Sequence, residues 1–216
     1  MIDRRLLLAG LVVSAGVGAR ADEIPGDDGK PAPTWRLPSE ISLDLPGTIV
    51  AGSPRPDAIL VEFFDYNCPW CRKSAPDLER MVSKDRNFSL HLIQNAVLSL
   101  GSVQAAKVAL AVRAATDDAT AWRFHRALIA RRGQVSGQEA LAEARNLKLD
   151  AAAIEAKADS DEITLQVRKH SGVSRALGME ATPSFAIDGM GIGGWPGVRT
   201  IQRIVGNVRA CDAISC

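Results

Sequence analysis

Cys68 and Cys71 are separated by Pro69 and Trp70. Two thiols at that spacing support either disulfide exchange or half of a tetrahedral zinc site. The flanking residues distinguish the two. The apolar run Ile59-Leu60-Val61-Glu62-Phe63-Phe64 precedes the pair, and a helical pattern follows it. A strand that delivers Cys68 to a helix start sets its sulfur among unpaired backbone N–H groups, at the positive end of the macrodipole, where a thiolate is favoured. Pro69 suits the first helical turn, because its missing N–H would find no partner there. Cys71 lies one turn further on and can reach back to close a disulfide. Cys68, at the exposed helix start, is the expected nucleophile and Cys71 the resolving thiol. No second C-x-x-C and no H-x-x-H completes a zinc tetrad, so no metal is expected.

Other reactive side chains say less. Cys211 and Cys216 end the chain five residues apart. In an oxidising compartment they read most simply as a local structural disulfide. A mixed disulfide with a partner, or electron transfer to Cys68 and Cys71, is the alternative, and four cysteines permit three pairings. His91, His125 and His170 share no ligand spacing and read as surface or structural histidines. Arg72 and Lys73 either add a favourable field at the first helical turn or point to solvent. Trp195 either lines a substrate groove or simply packs.

A second stretch, Ala181-Thr182-Pro183-Ser184-Phe185-Ala186-Ile187, lies far along the chain, before an Asp188-Gly189 turn. Together with Val61-Glu62-Phe63-Phe64-Asp65-Tyr66-Asn67 leading into Cys-Pro-Trp-Cys, it resembles bacterial DsbA-type thiol-disulfide oxidoreductases. The resemblance covers roughly residues 45–208, with Pro76 matching a helix-kinking proline. It implies a thioredoxin fold, a cis Thr182–Pro183 bond facing the dithiol, and a backbone edge there for strand-like pairing with a substrate peptide. It also puts Glu62 below the dithiol as a buried acid that accepts a proton when Cys71 attacks a mixed disulfide. A charged residue on an exposed strand face is the alternative for Glu62, although alternation puts it on the side of Phe64. Trp70 should be exposed near the substrate. It cannot supply the charge of the histidine some relatives carry there, so Cys68 should be less acidic than in the most oxidising ones. Asn95-Ala96-Val97-Leu98 departs from the family's proline-containing step, and the shape of that loop does not follow from the resemblance.

The elements that would position these groups follow from periodicity. Residues 58–64 read as a buried strand, about 69–85 as a helix and 88–93 as a strand, one βαβ unit. Ser184–Ile187 and Met190–Ile192 read as a hairpin, with a final helix over about 198–208. This is the α/β thioredoxin-like plan, βαβ plus ββα, placed in a domain of residues 58–210. Between its halves, about residues 100–178, Val108, Leu110, Val112, Trp122, Phe124, Leu128 and Ile129 recur at helical spacing, which predicts an all-helical insertion. Breaks fall at Gly133–Gly137 and Leu149–Asp150. Residues 22–57 hold seven prolines and read as an extended leader with one short strand near Thr48–Val50. That leaves little room for the dimerisation domain often found in isomerase relatives. Residues 211–216 form a cysteine-containing tail.

Residues 1–21 read as a signal peptide. Arg4-Arg5 precede an apolar stretch from Leu6, and Ala19-Arg20-Ala21 offers a cleavage site. The paired arginines fit a twin-arginine signal and equally the basic start of an ordinary secretory one. Export to the periplasm, or out of the cytoplasm by another route, gives the oxidising setting in which a redox C-x-x-C is sensible. The whole chain carries +1, and removing this segment leaves about −1, which argues against a surface for nucleic acid or another polyanion. No other apolar run is long enough to span a bilayer, so no stable membrane insertion is expected.

The resulting reading is an exported, monomeric thiol:disulfide oxidoreductase without cofactors, most simply a disulfide-donating oxidase. Its expected partners are reduced or misoxidised exported proteins and, by resemblance, a membrane redox partner. A reductase or isomerase differs only in redox poise. A non-enzymatic chaperone or metal-handling protein on the same fold is the third reading, against which few methionines and no histidine cluster speak.

Overall fold

The apolar run ahead of the dithiol becomes a central strand of a mixed sheet. The computed structural model describes residues 22–216, so the segment read as a signal peptide lies outside the described residues. In chain order the elements are β1 (Asp22–Pro25), β2 (Pro31–Arg36), β3 (Ile49–Gly52), β4 (Ala58–Phe64), α1 (Pro69–Lys84), β5 (Phe88–Gln94), α2 (Leu100–Ala115), α3 (Asp118–Ile129), α4 (Gly137–Asn146), α5 (Ala151–Ala158), α6 (Asp161–Ala176), β6 (Ser184–Ile187), β7 (Met190–Gly193) and α7 (Val198–Cys211). The strand order is β1-β2-β7-β6-β4-β5-β3. β4 runs parallel to β5 and antiparallel to β6. The β4-α1-β5 and β6-β7-α7 units make a thioredoxin-like fold, with α2 to α6 as an all-helical insertion between them.

β4 is apolar throughout because both of its faces are covered. Leu60 and Phe64 pack with α1, α7 and the insertion, whereas Val61 and Phe63 pack with Leu45, Leu177 and Met179 on the other face. In the hairpin, Asp188 and Gly189 both take positive φ, as a two-residue turn between twisted strands requires.

Two expectations are corrected. The leader is not one short strand in an extended segment but carries β1, β2 and β3, and β2 extends the sheet by pairing with β7. The strand prolines are tolerated because Pro25 lies on the edge strand β1, and Pro31 and Pro33 precede the Thr34–Arg36 stretch of β2 that pairs with β7. Trp35 of β2 donates from Nε1 to the Leu177 carbonyl at 2.8 Å. Its ring covers Gly191 so closely that a Cβ there would come within 2.4 Å. Asp27 then caps α7 from a distance, accepting from Arg199 N at 2.9 Å and Thr200 N at 2.8 Å where Gly197 offers no side chain. The insertion has five helices, because Asp117 and Ser160 add N-caps beyond the two expected breaks.

Candidate active site

Cys68 is the N-cap of α1, with Pro69 in the first turn and the Cys71 N–H aimed at its sulfur from 3.5 Å. The expectation of an exposed Cys68 is corrected: it keeps only 3% of its surface and Cys71 2%. Residues distant in sequence cover it. The Cys68 thiol lies 3.1 Å from the Thr182 carbonyl, to which it donates, and the Thr182–Pro183 bond is cis. Hydrogen bonding at Cys68 and burial at Cys71 distinguish the two thiols. The Cys71 side chain donates to Cys68 and brings its pKa down to about 6, against the opposing effect of burial; the N–H groups of Cys71 and Trp70 assist. Burial drives the Cys71 pKa strongly upward, reinforced by the hydrogen bond it gives Cys68 and by the nearby charges of Glu62 and Cys68. The arrangement favours a thiolate at 68 and a thiol at 71.

Glu62 is 3% exposed, on the β4 face that Leu60 and Phe64 share, and Ser74 of α1 donates to its Oε1 at 3.2 Å. Burial raises its pKa to about 8, the Ser74 hydrogen bond opposes that rise, and charge on Cys68 adds to it. A carboxyl titrating there can exchange a proton with a neighbouring thiol near neutral pH.

The turn before Cys68 holds residues that the sequence reading passed over. Asp65 accepts from Asn67 N at 2.8 Å and, with its other oxygen, from Val97 N at 3.0 Å and Leu98 N at 3.1 Å. Asn95 donates to the Met179 carbonyl at 2.9 Å. These bonds settle the shape of the Asn95–Leu98 loop and tie it to both the dithiol turn and the segment before Thr182. Asn67 joins the turn to the insertion, accepting from Val135 N at 2.7 Å and donating to Val135 O at 2.8 Å and Ser102 Oγ at 3.0 Å. An Asp-x-Asn step before a helix was the available signal. Arg72 donates to the Tyr66 carbonyl at 2.9 Å, whereas Lys73 sits 4.6 Å over the ring of Trp70, which is 54% exposed.

The remaining candidates lie elsewhere. His125 is packed against Phe64, Tyr66 and Trp122, and burial lowers its pKa to about 3. His170 pairs with the Pro46 carbonyl. Trp195 packs on Phe185. Cys211 and Cys216 form a disulfide at the end of α7. Nearby Arg209 pairs with Asp57 at the start of β4 and Asp85 after α1. Those are the element ends opposite the ones that meet at Cys68, and the 16 residues of α1 span roughly 24 Å. Electron transfer from this disulfide to Cys68 within one molecule is therefore out of reach. Among the described residues, no helix is long and apolar enough to cross a membrane.

Residues 44–207 match the thioredoxin family model. No curated protein matches the chain. A thioredoxin-like oxidoreductase from Silicibacter pomeroyi is similar in structure, with 31% identity, a TM-score of 0.71, and coverage of 77% of this chain and 94% of that one. The thiol-disulfide exchange protein alpha-DsbA2 from Wolbachia pipientis shares 24% identity at a TM-score of 0.68, covering 77% and 88%. BdbD from Bacillus subtilis shares 21% at 0.69, covering 81% and 98%. The last two show a shared fold.

Proposed function

The chain belongs to the thioredoxin family as a thiol-disulfide oxidoreductase, and from that premise we propose that Cys68–Cys71 donates a disulfide to exported proteins. In this reading Cys68 forms the mixed disulfide, Cys71 is the buried second thiol, and Glu62 exchanges a proton with Cys71. Thr182 and Pro183 present backbone to the substrate, and the exposed Trp70, Val97, Leu98 and Leu100 offer apolar contacts to an unfolded segment. A monomer re-oxidised by a membrane partner completes the proposal.

The observation that carries the direction is the seat of Cys68 at the start of α1, where the Cys71 N–H points at its sulfur from 3.5 Å and the pKa is brought down to about 6. A stabilised thiolate favours the reduced form, which makes the disulfide oxidising. The value lies between about 7 for thioredoxin and about 3.5 for DsbA. The potential is therefore expected between that of thioredoxin at about −270 mV and that of DsbA at about −120 mV. Equilibration of the mature protein with glutathione, followed by Trp70 fluorescence or thiol labelling, measures the potential. A result at or below that of thioredoxin refutes the donor role and favours a reductase. A stable dimer or trimer in sedimentation favours an isomerase.

A further inference from the structure

Donation of the Cys68–Cys71 disulfide obliges Glu62 to change its charge while buried. A substrate thiolate bonds to the Cys68 sulfur, the Cys68–Cys71 bond breaks, and Cys71 leaves with the electron pair and takes a proton from Glu62. In the reverse step Cys71 returns its proton to Glu62, attacks Cys68 and releases the substrate thiolate. This rests on the proton-transfer role given to Glu62 above. A buried carboxyl that alternates between neutral and ionised forms needs a partner that suits both, since an unsatisfied buried polar group is costly.

Ser74 has the geometry of such a partner. It lies one helical turn after Cys71 on α1 and is fully buried. Its Oγ is 3.2 Å from Glu62 Oε1 and 3.0 Å from the Cys71 carbonyl oxygen. A hydroxyl carries one proton and two acceptor sites, so it cannot donate to both oxygens at once. Among the described residues, no other side chain hydrogen-bonds to Glu62.

We propose that Ser74 is a positioning residue for the proton transfer, its hydroxyl turning between Glu62 and the Cys71 carbonyl as Glu62 changes charge. With Glu62 ionised, Ser74 donates to Oε1 in a charge-assisted bond. With Glu62 neutral, the carboxyl O–H donates to Ser74 Oγ and the serine proton points to the Cys71 carbonyl. In both states the Glu62 Oε1 and Ser74 Oγ atoms stay hydrogen-bonded to each other. Because the charged form gains the stronger bond, Ser74 also restrains the rise that burial imposes on Glu62.

The experiment compares Ser74→Ala, Ser74→Thr and Glu62→Gln with the native sequence. Alanine removes one buried oxygen and is the better helix former, so the fold is retained. The first readout is the Glu62 midpoint from carboxyl-carbon NMR of the reduced protein. Ser74→Ala should raise it by about one pH unit, and Ser74→Thr, which keeps the hydroxyl, should hold it near the native value. The second is release of glutathione from an acid-trapped mixed disulfide at Cys68 after a jump to each pH. There Cys68 is capped, so the profile reports the coupled Cys71–Glu62 pair. Ser74→Ala should slow release about threefold to tenfold at neutral pH, because fewer Glu62 carboxyls are ionised while each ionised one is a stronger base. An unchanged midpoint in Ser74→Ala overturns the proposal, as does a threonine variant displaced as far as the alanine one. If Glu62→Gln leaves the release profile unchanged, Glu62 transfers no proton and the role of Ser74 falls with it. That failure is distinguishable, because the NMR midpoint does not depend on turnover.

Discussion

Replacing Cys71 by alanine should raise the Cys68 pKa from about 6 to between about 7 and 8. The Cys71 thiol gives Cys68 its most effective hydrogen bond. A hydrogen bond to a charged group is worth about 1.5–3 kcal/mol, and 1.36 kcal/mol is one pKa unit, so one to two units should be lost. The N–H groups at the start of α1 remain, which keeps the value below that of an ordinary thiol. Thiolate absorbance near 240 nm against pH, checked by the pH dependence of alkylation, gives the number. Cys71→Ser keeps a donor and should stay near the native value. An alanine variant still titrating near 6 would refute the reasoning, since the helix terminus alone would then stabilise the thiolate. The same shift links to stability. A folded-state pKa below the unfolded one stabilises the reduced protein above the ordinary thiol pKa, and that gain is lost as pH falls through about 6. The variant should lose it at higher pH. Glu62 acts in the opposite sense: with its pKa raised to about 8, its contribution favours the fold at low pH and turns unfavourable as pH rises from the ordinary carboxyl range through 8.

Cys68→Ser should abolish oxidation of a reduced model protein, whereas Cys71→Ser should accumulate mixed disulfides visible on non-reducing gels; normal turnover by the first variant would remove Cys68 from its role. Replacing both Cys211 and Cys216 by serine should cost about 2 kcal/mol in denaturant unfolding, as the loop is short, and leave exchange rates unchanged because the pair lies at the far pole. Asn67→Ala should destabilise the protein by about 3 kcal/mol in urea unfolding, since it strands the buried amide and carbonyl of Val135 between the dithiol turn and the insertion.

Short-range signals made part of this protein legible from its sequence. The dithiol, the strand before it and the helix after it depend on neighbouring residues only: an apolar run, a proline suited to a first turn, and a cysteine one turn on. Alternation along β4 sufficed to place Glu62 with Phe64, and the Asp188-Gly189 pair defined the hairpin by its backbone freedom. The resemblance to DsbA-type proteins brought Thr182 and Pro183 to Cys68, which no local pattern does across 114 residues. The tertiary structure decided the rest, because each remaining feature needs two distant segments to meet. Cys68 is buried only once the Thr182 segment covers it. Proline-rich residues become sheet only once β7 offers an edge and Trp35 finds Gly191. Ser74 reads as an ordinary helix serine until α1 packs over β4 and sets its hydroxyl on Glu62. A sequence specifies its own caps, turns and periods, but which polar group answers a buried charge is fixed only when the elements pack.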